Sequence, residues 1–382
     1  MRVLFDYQIF QMQRYGGISR GCAEIISHFK STESIIAVKE SDNVYLKEYN
    51  LLNDFKSISK DFDSFLPKIH FRGKRRIYNF LTDCKLIESA EIRNRTYCIK
   101  LLQEGKFDVF HPTYFSPYFK NYLNGKPFVL TVHDLTAEKF PQYFGKYDYQ
   151  INGRKQLVPI ASHIVVPSES TRRDVLERWN LPEEKVSRVY RGGVSPITGS
   201  FENIIDSPYI LFVGLRDGYK NFNRFIIDSI PFLRNNPEVK IICTGKEFSG
   251  KELNLLHKYN ISERVQAKFV SSDDLKALYC HAICFVFPSL SEGFGLPILE
   301  AFSCGCPVLL INKSCFPEIG GDAAFFYESD KKDSNLSDKL EYLYGLNETD
   351  RLKVKEKGYH RLNDFSWDKS AAQYEDIYKS LI

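Results

Sequence analysis

Two kinds of segment alternate along this chain. Short apolar runs rich in Val, Ile and Phe have the pattern of strands buried on both faces. They fall at 2–5, 34–38, 109–111, 128–132 and 163–167, and again at 209–213, 239–244, 265–269, 283–287 and 307–311. Between them lie stretches of helical character, such as 20–29 after the first run. Strand and helix in alternation predict an α/β chain of parallel sheets covered by helices. Segment 191–208 breaks the rhythm, with Gly192, Gly193, Pro196, Gly199 and Pro208 and no sustained periodicity, so a domain boundary is expected there. At the end of the chain Trp367, Ala371, Tyr374, Ile377 and Tyr378 recur at helical spacing and predict one more packed helix. Two α/β halves with a cleft between them result. Ligands in such sheets collect at the carboxyl ends of strands, so chemistry is expected just after Phe5, Val132, Val213, Thr244 and Phe287.

Composition narrows the class. The 382 residues, 43% hydrophobic and 26% charged, are enough for two cores. A net charge of +4 is too small for a dedicated nucleic-acid binder, and no basic stripe is joined to an RNA or DNA module. No apolar run reaches the roughly 18 residues of a membrane span, and Asp6 interrupts the opening MRVLFDYQIF where a signal peptide would stay apolar. A cytoplasmic protein is expected. Nine cysteines, an odd number without regular spacing, are read as reduced, and none completes a zinc site. Lys68, Arg72, Lys74, Arg75 and Arg76 lie among aromatic and aliphatic residues. The plainer reading is a solvated segment whose aromatics pack inward; the other is a peripheral contact with the inner face of the cell membrane.

The richest stretch is 286–310, VFPSLSEGFGLPILEAFSCGCPVLL. Here a buried strand gives way to a glycine turn and then a helix, with Pro297 suited to the first helical position. Free amides at that helix start favour an anion, and Gly293 and Gly295 are expected to let a ligand approach the main chain. Glu292 and Glu300 bracket the turn, each able to accept hydrogen bonds from a pair of hydroxyls. Phosphate between two hydroxyl-binding carboxylates describes a nucleotide sugar; the bland alternative is a turn residue and a surface helix residue.

Three further segments join it. After 209–213 comes VGLRDGYKN, where Gly214 begins a loop and Arg216 and Lys220 are placed to stabilise a departing diphosphate. Gly16-Gly17-Ile18-Ser19 precedes a helix and could bring backbone amides to the cleft, although the dinucleotide pattern GxGxxG is absent. His133, in TVHD, ends a strand facing the same cleft, with His111 a weaker candidate of that kind. Thr171 and Asp174 read as a helix start. Asp61-Phe62-Asp63 has the form of a metal-binding Asp-x-Asp but follows no convincing strand and is read as chance; no metal and no cofactor are expected.

Taken together, YGGIS, TVHD, VVPSES, VGLRDGYKN, SEGFGLPILEAFSCGCPVL, FPEIGGDAAFF and FSWDKSAAQY resemble the retaining glycosyltransferases of family 4, over nearly the whole chain. The resemblance implies the GT-B fold, two Rossmann-like domains facing a cleft. The divisions are 1–195 for the acceptor, 196–362 for the nucleotide sugar, and 363–382 as a helix crossing back to the first domain. It also implies that Glu292 meets the transferred sugar and Glu300 the ribose. Phe294, Gly295, Leu296 and Pro297 would line the sugar and diphosphate. His133 matches the family's cleft histidine, Gly17 its glycine loop, and Lys220 the lysine of its usual Arg-Lys pair. Tyr219 stands where the family has Arg, so Arg216 is the expected substitute. With no first-domain carboxylate as an obvious nucleophile, a front-face substitution is expected rather than a double displacement. The expected reaction moves a hexose, preferably mannose from GDP-mannose with a UDP sugar as the alternative donor, to a surface polysaccharide or lipid-linked glycan. The competing readings are an inverting GT-B enzyme, a non-catalytic sugar-nucleotide-binding protein and a glycan phosphorylase.

Overall fold

A computed structural model describes residues 1–58, 89–145, 148–330 and 333–382. The Lys68 to Arg76 cluster and the Asp61-Phe62-Asp63 triplet lie outside the described residues. The first half holds β1 (Arg2–Phe5), β2 (Glu33–Ile36) and β3 (Val109–His111) in the order β2-β1-β3. A bridge from Phe110 to Phe128 leads on to β4 (Val129–Thr131), β5 (His163–Val166) and β6 (Val186–Arg188), ordered β4-β5-β6. The second half is one sheet of β7 (Tyr209–Phe212), β8 (Lys240–Thr244), β9 (Val265–Lys268), β10 (Cys284–Phe287), β11 (Val308–Ile311) and β12 (Phe325–Tyr327). Its order is β12-β11-β10-β7-β8-β9. Every pairing between these strands is parallel.

Burial explains why the runs become strands. Every side chain of β7, β10 and β11 is buried, as a parallel sheet covered on both faces requires. Only β6 and β12 are unannounced by an apolar run. Each has three residues, and β6 reads Val-Ser-Arg with only Val186 buried, too little apolar content to register as a run.

Two cores form, one from Val3 to Val189 and one from Ile205 to Phe365. Tyr374 and Tyr378, on the last helix Trp367–Lys379, belong to the first core. They are anchored there by a buried chain of polar contacts. His111 Nδ1 lies 2.6 Å from the Tyr378 hydroxyl, His111 Nε2 3.0 Å from Thr131 Oγ1, and Thr131 Oγ1 3.0 Å from the Tyr374 hydroxyl. Burial pushes His111 down to about 3, so its ring is neutral at physiological pH. His111 is therefore corrected from a cleft candidate to an anchor of the returning helix.

The halves also meet directly. Glu318 accepts hydrogen bonds from the amides of Glu169 (2.8 Å) and Ser170 (3.2 Å) at the start of helix Glu169–Trp179, where a helix dipole favours a carboxylate. Ser168 rather than Thr171 caps that helix, accepting from the Thr171 amide, and Asp174 pairs with Lys139. Thr136 Oγ1 lies 3.2 Å from Ser291 Oγ, and Phe144 stacks on Tyr219 with ring centroids 5.8 Å apart. The carboxyl ends of β4, β7 and β10 are thereby brought to one cleft.

Candidate active site

The chain leaves β10 through a turn ending at Gly295, whose φ of +92° suits glycine, and enters helix Leu296–Ser303 with Pro297 in its first turn. Within that turn Ser314 fastens Glu292 at both ends of its peptide: the Glu292 amide donates to Ser314 Oγ (3.1 Å), and that hydroxyl donates to the Glu292 carbonyl (2.9 Å). The Glu292 side chain meets Lys220 across 2.5 Å, each side chain only 17% exposed. Lys220 comes from the turn Gly218–Lys220 after β7, tied to the Glu292 loop by the Leu290 amide donating to the Tyr219 carbonyl at 2.8 Å. Burial pushes the Lys220 ammonium down, but Glu292, Tyr219 and Asp134 together outweigh that and raise it, so it is firmly charged.

Glu300, on the second turn of the helix, faces the other domain. Arg20, on helix Gly17–Ser27 of the first half, reaches it at 3.2 Å. Burial raises the Glu300 carboxyl, and Arg20 opposes the rise. Beside this pair a cavity of about 430 Å³ runs between the domains, lined by Tyr15, Tyr45, Ser272 and Lys276 among others. Gly17 faces Leu296 across the same gap: a Cβ on Gly17 would lie 3.8 Å from Leu296 Cδ1.

Gly293 departs from expectation. A Cβ there would fall 1.7 Å from the His133 carbonyl oxygen and 2.9 Å from its carbon, so what the missing side chain admits is the backbone of the opposite domain. Only Gly295 serves the turn through its conformation.

Arg216 departs further. Its Nε donates to Glu252 at 2.7 Å and its Nη2 to the carbonyls of Lys246 (2.6 Å) and Glu247 (2.9 Å), while the guanidinium lies 4.7 Å from the centre of the Phe248 ring. Glu252 is itself the capping-box residue of helix Gly250–Lys258. The structure thus turns Arg216 away from the Lys220–Glu292 pair to brace the loop after β8. Gly214 stays at the mouth of β7 with φ +117° and open space at its α-carbon.

Among the described residues no group of three or more His, Cys, Asp or Glu could hold a metal ion, and the cysteines there are free. No helix among them is long and apolar enough to cross a membrane.

Two family profiles match the sequence in tandem: "Glycosyltransferase Family 4" over residues 63–192 and "Glycosyl transferases group 1" over 200–361. The chain is a family 4 type GT-B glycosyltransferase. Similar proteins include O-antigen chain mannosyltransferase B of Escherichia coli, 26% identical over 66% of this chain and 70% of the relative. O-antigen chain mannosyltransferase RfbU of Salmonella typhimurium is 26% identical over 54% of this chain but only 58% of its own length. The crystal structure of Anabaena HepE in complex with UDP-glucose superposes over 100% of both chains with a TM-score of 0.70 at 15% identity, a likeness of fold.

In this glycosyltransferase the cleft gathers His133, Gly17, Lys220, Glu292, the turn Phe294 to Pro297 and Glu300, and leaves Arg216 out. Two arginines that sequence reasoning passed over stand in it. Arg20 directly follows YGGIS, but its contact with Glu300 spans 280 residues and no local pattern announces it. Arg191 reaches both Gly17 and His133. It sits just past β6, at a carboxyl end of the kind where α/β sheets place their chemistry, but a three-residue strand with one buried side chain leaves no apolar run to mark it.

Proposed function

We propose that the glycosyltransferase works with retention, moving mannose from GDP-mannose to a growing surface polysaccharide or lipid-linked glycan. The observation that carries this reading is the single lip formed by Lys220, Glu292 and the Gly295-started helix with Glu300 on its second turn. In this arrangement helix amides and Lys220 hold the diphosphate, Glu300 the ribose hydroxyls and Glu292 the sugar. The first domain, 1–195, supplies the acceptor side and brings His133 to the chemistry and Gly17 to the donor, which 196–362 otherwise holds. As the sugar C1–O bond to the β-phosphate breaks, the departing oxygen takes the proton of the incoming hydroxyl, whose oxygen joins C1 on the same face. Lys220 stabilises the growing phosphate charge in a site from which domain contact excludes water. The mannosyltransferase names of two relatives support mannose as the sugar and an O-antigen-like glycan as the acceptor class.

Thermal unfolding in the presence of GDP-, UDP-, ADP- and TDP-sugars tests the donor. A ligand at a hundredfold excess over its Kd stabilises the native state by about 2.7 kcal/mol. GDP-mannose is expected to raise Tm, and Glu300→Ala to remove most of the rise. A rise with UDP sugars alone would reassign the base; no rise with any nucleotide sugar would overturn the donor site.

A further inference from the structure

Arg191 occupies a slot shaped for it. Its Nη1 donates to the Gly17 carbonyl at 2.7 Å, and its Nη2 lies 3.1 Å from His133 Nδ1. Below it is Gly21, where a Cβ would come within 2.4 Å of Arg191 Nη1. Next to it Gly192 has no room for a side chain, because a Cβ would stand 2.3 Å from Trp367 Cγ. Gly21, Arg191 and Trp367 therefore form one device, with the returning helix as its outer wall.

The contact with His133 has a definite chemistry. A guanidinium offers only N–H donors, so the imidazole nitrogen facing it must accept. Nδ1 is then bare, and the proton of the neutral ring sits on Nε2, for which the described residues provide no hydrogen-bond partner. Burial, with Arg191, His111 and Arg154 adding to it, holds His133 well below its usual range and keeps the ring neutral. Its other close neighbour is the Phe115 ring, edge-on with centroids 6.3 Å apart.

We propose that Arg191 is a positioning residue that locks His133 in its Nε2–H form, so that the ring presents one N–H donor to a substrate oxygen in the cleft. The consequence for turnover rests on the cleft being the site of sugar transfer; the tautomer does not. His133 is thereby a hydrogen-bond donor and not a general base, since a base would need a free lone pair on the nitrogen facing the substrate.

The test uses the full chain labelled with ¹⁵N-histidine, the His133 ring resonances being assigned by their loss in His133→Gln. At pH 7 the wild type is expected to show an unprotonated Nδ1 and a protonated Nε2. Arg191→Met removes the donor, and Gly21→Ala displaces the guanidinium without removing its charge. Both are expected to give a mixture of tautomers and to lower kcat about 10- to 100-fold with donor KM changed less than about 3-fold. Arg191→Lys, still a pure donor, is expected to recover part of the tautomer bias and of kcat. A protonated Nδ1 in the wild type, or an unchanged tautomer and kcat in a folded Arg191→Met, would overturn the proposal. If no nucleotide sugar were turned over even by the wild type, the transfer reading would fail, and the ring resonances would still decide the role of Arg191.

Discussion

Replacing Lys220 with alanine is expected to reduce kcat by about 10²- to 10³-fold, roughly 3–4 kcal/mol of transition-state stabilisation. The reason is the position of its ammonium: largely buried, raised in pKa and held 2.5 Å from Glu292 at the mouth of β7. A charge with fixed neighbours needs no reorganisation when the leaving phosphate becomes more negative. Glu292→Ala should be comparably damaging, because it removes the proposed sugar contact and also the partner that orients Lys220. The two effects should not add, since the side chains act as a pair. Steady-state rates of nucleoside diphosphate release for both single variants and the double variant measure this. Normal turnover in both single variants would remove the site from the chemistry.

Gly293→Ala should be nearly as severe, by a different route. The added methyl would be driven into the backbone carbonyl of His133, which no rotamer change can relieve, with Asp134 Cβ also only 3.3 Å away. The domains must then part at the point where the Glu292 loop meets the end of β4. Donor affinity, carried mainly by the second domain, should hold within a few-fold, while kcat falls about 100-fold because a displacement near 1 Å between reacting groups is enough for that loss. Calorimetric titration of donor beside initial-rate measurements separates the two quantities. A variant with unchanged kcat would show that the observed domain contact is not the one used in catalysis.

Much of this architecture is legible in the sequence, and the exceptions have physical causes. Apolar runs announce a strand when both faces are buried, which is why β7, β10 and β11 stand out and the three-residue β6 does not. Glu292 and Lys220 are legible because each follows a strand end in a recognisable turn, and Glu300 because it lies on the helix that the Glu292 turn opens. The role of Gly293 is not, because a glycine reads the same whether the space beside it belongs to a ligand or to the carbonyl of His133. Arg216 misleads for a related reason. Its place after β7 is right for a diphosphate, but a long side chain can turn either way, and Glu252 with the Lys246 and Glu247 carbonyls draws it to the other side. Arg20 acts across the cleft on Glu300, and Arg191 ties Gly17 to His133 within the first domain, both at distances along the chain that no local pattern encodes.

Proton NMR followed in real time during turnover tests the central claim most directly. With GDP-mannose as donor and methyl α-mannoside or mannobiose as acceptor, the anomeric signal of the donor should decline. It should be replaced by a product signal of the same α configuration, which with Lys220→Ala should grow about 10²- to 10³-fold more slowly. A β-configured product, or a donor signal undiminished with the wild-type enzyme and equally so with UDP sugars, would contradict the account.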